Sequence, residues 1–138
     1  MIPMSIIMMF ISMFIIQYVF MSYIMTNQVD NITNSMGKVY MSTIMGLLMI
    51  IIMSYDNIQN LGIYICLLIL CIYLYKIQFG VNDKNYIREM IEHHSMALLT
   101  SKQIIKKTDN SYVADIAQRI INTQESEIQE MRNIIKLI

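Results

Sequence analysis

The chain is expected to be all-α, with three transmembrane helices followed by an antiparallel hairpin of two water-facing helices. Three observations lead there. Apolar runs recur in the first half, ionisable side chains crowd into the second, and two late stretches repeat apolar residues at helical spacing around a polar turn. Of the 138 residues 56% are hydrophobic and the formal net charge is +0, yet residues 1–79 carry only Asp30, Lys38, Asp56 and Lys76 as acids and bases. This reads as a membrane anchor, 1–79, joined to a helical hairpin domain, 80–138. The even charge balance gives no electrostatic case for nucleic acid, which calls for a basic face.

The first apolar run, 2–25, holds no charge and is long enough to cross about 30 Å of hydrocarbon as a helix. It lacks a basic start and a small-residue cleavage site, so a removable signal peptide is not expected. The second run, 39–55, is near the lower length limit. The third, 61–79, is interrupted only by Lys76, whose side chain can snorkel. Tyr40, Tyr55, Tyr73 and Tyr75 lie near span ends, as interface anchors do. An odd number of spans puts the termini on opposite sides, with Lys38, Lys76, Lys84 and Arg88 sharing one of them. The positive-inside rule would make that side cytosolic.

Cys66 and Cys71 are five apart in an apolar run, on different helix faces, which makes neither a redox pair nor a disulfide framework. Most of the 15 methionines fall in the first two spans, where Met41, Met45, Met49 and Met53 form an i, i+4 ladder. Thioethers can pass Cu(I) or Ag(I). With no histidine or charge beside the ladder, it reads instead as adaptable apolar filler.

After Gly80, Asn82 or Asp83 can cap a helix over 83–107, and Asn110 or Ser111 another over 111–137. The first seam reads Ile87, Met90, His94, Ala97, Ser101, Ile104; the second reads Val113, Ala117, Ile120, Gln124, Glu127, Met131, Ile135. The turn material at 108–111 makes the two helices antiparallel, with His94 opposite the neighbourhood of Gln124 and Glu125. Met90, His93, His94, Gln124, Glu127 and Met131 then occupy adjacent layers, and no other stretch collects so many metal-competent donors. A buried carboxylate needs a partner to offset desolvation, and a histidine or a metal ion would serve. Glu92 lies off the seam and reads as solvated. The flanking Ile91, Leu98, Ile105, Ile116 and Ile128 need another surface, because so short a hairpin cannot bury a core alone. A homodimer of hairpins forming a four-helix bundle would supply it, and docking onto the membrane spans is the competing solution.

The segments Met90-Ile91-Glu92-His93-His94-Ser95-Met96-Ala97 and Ile120-Ile121-x-x-Gln124-x-x-Glu127-Ile128-x-x-Met131 resemble the two hallmarks of domain-of-unknown-function family 305, a ferritin-like helical family. The methionine-rich leader looks like its membrane-anchored members. The resemblance implies half of a ferritin-like four-helix bundle, and copper or silver binding through Met and His. It carries over Met90, His93, His94 and Met131 as ligands, supported by Glu127 and Gln124, and it favours an extracytoplasmic hairpin over the side given by the charge rule. Glu92 stands where the family usually has proline, and Thr100 where many members have another methionine.

The expected protein is therefore a non-enzymatic, multi-pass membrane protein. Its hairpin binds copper, as Cu(I) or Cu(II), or a similar soft metal, and its partners are the lipid bilayer and a second copy of itself. The alternative is an anchored structural or oligomerisation module without metal. No H-E-x-x-H, nucleophile elbow or glycine-rich phosphate loop supports an enzyme, and no Glu-x-x-His pair supports a di-iron centre. Asn31-Ile32-Thr33 is a match to the glycosylation sequon.

Overall fold

The structure, a computed structural model, describes residues 4–54 and 58–138. Among them there is helix and connecting turn but no strand. Five helices follow one another: α1 Met4–Met25, α2 Met36–Met53, α3 Ile58–Lys76, α4 Asp83–Ile105 and α5 Ser111–Leu137. The expected anchor Tyr55, the charge of Asp56 and the start of the first run at Ile2 lie outside the described residues. Two compact units result, one within 1–21 and 36–81, the other combining Ser22–Ser35 with Asn82–Ile138.

In the first unit α1 packs along α2, and α2 along α3. The approach of α1 is close at Gly46, where an added Cβ would stand 2.6 Å from the Phe10 ring. Residues Ile16–Met21 widen into a π-helical turn. Hydroxyls on these apolar helices return to their own backbone: Ser12 donates to the Met8 carbonyl, Ser42 to Lys38 and Thr43 to Val39, each at 2.8 Å. Each hydroxyl is thereby satisfied within its own helix. The Tyr40 hydroxyl donates to the Phe79 carbonyl at 2.9 Å, and the Lys38 ammonium sits 4.9 Å from the centre of the Tyr18 ring. Cys66 is exposed and Cys71 buried, on different faces as expected.

α1 and α2 are long and apolar enough to cross a membrane, whereas the described apolar stretch of α3, Asn60–Lys76, is shorter. By length and composition the three expected spans thus become two. α3 ends at Lys76, and Gln78 (φ 55°) and Gly80 (φ 72°) turn the chain out of the helix, so residues 77–79 of the expected third span lie beyond it. Ile7, Met8, Ile11, Val19 and Phe20 of α1, and Ile63, Leu67, Ile69 and Leu70 of α3, stand exposed.

The second unit is built on the α4–α5 hairpin. Asn82 caps α4 by accepting from the Asn85 amide, and Asn110 caps α5 by accepting from the amides of Tyr112 and Val113. The core, however, is not the expected seam. Ile91, Leu98, Ile121 and Ile128 are buried at its centre, with Ile87, Ile105, Met131 and Ile135 packed against them. Ile91, Leu98 and Ile105 repeat every seven residues, as do Ile121, Ile128 and Ile135. The seam is rotated by one residue at alternate positions, replacing Met90, Ala97 and Ile104 with Ile91, Leu98 and Ile105. It likewise replaces Ile120 and Glu127 with Ile121 and Ile128. Fully burying a large aliphatic side chain is worth about 1.5–3 kcal/mol, so the phase that encloses isoleucine and leucine wins over one enclosing alanine and carboxylate. Ile104, Val113, Ile116 and Ile120, three of them expected in the seam, are exposed instead.

The segment Ser22–Ser35 covers another side of the hairpin. The Asn27 amide and the Asn31 side-chain amide both donate to Ser95 Oγ, at 2.9 and 3.1 Å. The Thr33 amide donates to Glu92 Oε2 at 2.9 Å and the Thr33 hydroxyl to the Arg88 carbonyl at 2.6 Å. Arg132 Nη2 donates to Asn31 Oδ1 at 2.7 Å. Glu92 is therefore not simply solvated; it receives the turn between α1 and α2.

Candidate functional site

His94 occupies an inward position of the α4 heptad, between Ile91 and Leu98, but at the rim of the core rather than in it. Its Nδ1 lies 2.7 Å from the Met90 carbonyl, one helical turn back. A carbonyl only accepts, so Nδ1 carries the proton. Nε2 then points across the hairpin to Glu127 Oε2 at 2.9 Å. The same carboxylate oxygen accepts from Gln124 Nε2 at 3.2 Å, which fixes its orientation along α5. The register brings His94 opposite Glu127, almost one turn beyond the expected Gln124–Glu125.

A neutral imidazole protonated at Nδ1 presents a lone pair at Nε2, and a carboxylate presents another. Two lone pairs at hydrogen-bond distance require a proton or a cation between them. The contact is therefore an imidazolium–carboxylate pair, an imidazole–carboxylic acid pair, or one side of a cation site. The backbone carbonyl on Nδ1 is the kind of outer partner that holds a metal-binding histidine in its tautomer. Glu127 is 44% exposed in its side chain, so as a bare ion pair this contact stabilises the hairpin only modestly.

His94 and Glu127 open onto a groove of about 560 Å³ that Met90 and Met131 also line. Four of the six expected site residues thus share one concavity, and Gln124 supports it from beside Glu127. His93 does not join them. It is exposed, its ring centre 6.5 Å from that of His94 and edge-on to it, and it is absent from the groove wall. Adjacent helical residues diverge by about 100°, so only one of two neighbouring imidazoles can face α5. Among the described residues no three His, Cys, Asp or Glu side chains gather to hold a metal ion, so any metal here depends on the thioethers. Sequence reasoning missed Asp83, Tyr86 and Glu130, which line the same groove. Asp83 precedes Met90 by seven residues and Glu130 follows Glu127 by three, the same helical spacing that selected the others.

Asn31 of the sequon is 2% exposed and bonded on both side-chain atoms, to Ser95 and to Arg132. The motif is accounted for by this docking, and its amide nitrogen is inaccessible to a glycosyl donor in the folded unit.

The model of the domain of unknown function DUF305 matches residues 74–136. An uncharacterized protein of Acanthamoeba polyphaga mimivirus is 30% identical over 137 residues, covering 94% of this chain and 90% of its own length. No solved structure matches the chain. The family match falls on α4 and α5 with their two motifs, and the likeness to the viral protein extends through the apolar first half. The chain belongs to the DUF305 family.

Proposed function

We propose that this is a multi-pass membrane protein whose C-terminal hairpin binds a soft metal ion, copper foremost, between α4 and α5. The carrying observation is the apposed His94 Nε2 and Glu127 Oε2 in a groove that also holds Met90 and Met131. The donors fit the ion: an imidazole nitrogen with its tautomer fixed, a carboxylate oxygen, and two thioethers that favour Cu(I) over harder cations. His94, Met90 and Met131 would hold the ion, Glu127 would complete or neutralise the site, and Gln124 would position Glu127. His93 would serve only from outside. The role is one of binding, with no catalytic residue assigned.

The anchoring reading rests on α1 and α2, and adds α3 as a shorter third crossing. Segment 22–35, between α1 and α2, is hydrogen-bonded to the hairpin that follows α3. If the protein is anchored, these bonds keep segment 22–35 and the hairpin on one side of the bilayer, so the chain leaves and returns to that side between residues 35 and 82. If α2 crosses, α3 crosses back. Its 19 residues span about 28 Å as a helix, close to the hydrocarbon thickness. The hairpin then lies opposite the N-terminus, on the extracytoplasmic side that the family resemblance favours.

The test is calorimetric titration of the full chain in nanodiscs with Cu(I), and with Ag(I) as its redox-inert substitute. One ion per chain is expected, with uptake lost in His94→Ala and weakened in Met131→Leu. Absence of uptake by the unaltered protein overturns the metal reading. The full chain is required because Ser22–Ser35 belongs to the unit that carries the site.

A second reading, an oligomerisation module in which the His94–Glu127 pair only fixes helix pairing, is favoured by the bare stripe of Ile104, Val113, Ile116 and Ile120. A second hairpin laid on that stripe would complete a four-helix bundle. Here His94→Leu should raise thermal stability and leave the self-association of the chain altered.

A further inference from the structure

The groove beside His94 has a character that metal binding does not use. Its walls are mainly apolar, with Ile87, Ile134 and Ile138 alongside the two methionines, and at about 560 Å³ it lies within the size range of small-molecule sites. Every fixed charge on it is negative: Asp83, Glu127 and Glu130. No lysine or arginine lines it, and His94 already faces Glu127. Asp83 and Glu130 form no ion pair among the described residues. Tyr86, 54% exposed, adds an aromatic ring to the wall.

We infer that this groove binds small amphiphilic organic cations, an ammonium head with an apolar body. The body would cover Ile87, Ile134 and Ile138, while the head would lie among the carboxylates, with the Tyr86 face adding a cation–π contribution. The charge pattern disfavours the mirror-image ligand, since an anionic amphiphile would place its head among Asp83, Glu127 and Glu130 with no lysine or arginine to receive it.

The test uses the full chain in phosphatidylcholine nanodiscs, with a chelator present so that no metal takes part. Hexyltrimethylammonium is titrated by calorimetry beside hexanesulfonate, tetramethylammonium and empty nanodiscs. Saturable binding of hexyltrimethylammonium above the empty-disc background is expected, with neither the anion nor the bare head binding comparably. Asp83→Asn and Glu130→Gln should each weaken it about three-fold, and together roughly ten-fold. Both positions are exposed, so the variants retain the fold, and helix ellipticity checks this. Equal uptake by empty discs, equal binding of hexanesulfonate, or unchanged affinity in the folded double variant would overturn the inference. The two readings fail separately, because the organic cation is titrated with a chelator present and Cu(I) uptake is measured on the same unaltered chain without the organic cation.

Discussion

Two faces of the hairpin are treated in opposite ways. One is covered by the chain's own segment 22–35, through hydrogen bonds to Ser95, Glu92 and Arg132. The other, toward the α4–α5 turn, leaves Ile104, Val113, Ile116 and Ile120 exposed, Ile116 by 51%. The covered face is polar and directional, and the bare face is apolar and undirected. Hydrogen bonds specify one partner in one register, because a buried donor left unmade costs more than a made one returns. An apolar stripe specifies only that something apolar lies against it.

The comparison can be broken at the core beneath both faces. Leu98→Ala should cost about 2–5 kcal/mol, read as a loss of thermal stability and faster hydrogen exchange in both α4 and α5. Ser95 is 0% exposed, so Ser95→Ala should leave the Asn27 and Asn31 donors unmet. A cost of about 1–3 kcal/mol is expected, with exchange accelerating in 22–35 before α5. Glu92→Gln keeps an acceptor for the Thr33 amide but removes its charge, and should cost about 1 kcal/mol by the same measurement. On the bare face, Ile116→Ser should change the stability of the single chain by no more than about 0.5 kcal/mol. A larger loss that depends on protein concentration would show that this face is covered by a second copy.

The elements themselves were legible from sequence. Caps and turns act within a few residues, so residue type and spacing placed the turn at 108–111 and narrowed each cap to two neighbours, of which the structure uses Asn82 and Asn110. The phase of the seam was not. Residues 90, 97 and 104 share a seven-residue spacing with 91, 98 and 105, and the pattern cannot distinguish them without knowing which face meets α5. The polar residues at 94, 101 and 124 blurred the contrast further. Met90, His94, Glu127 and Met131 were named from motif spacing and line one groove, although the seam expected to hold Met90 and Glu127 is out of phase. His93 was not separable from its neighbour until the helix was placed.

Sequence alone decided the helical class, the division between an apolar and a charged half, the neighbourhood of each cap and the candidate donors. These follow from local backbone preference and from the cost of placing charge in an apolar run. Tertiary structure alone decided that the connection between the first two apolar helices docks on Glu92 and Ser95, and that one imidazole of two meets the carboxylate. Those contacts join residues some sixty or thirty positions apart, and such pairings depend on the folded register of whole helices rather than on the neighbours of any residue.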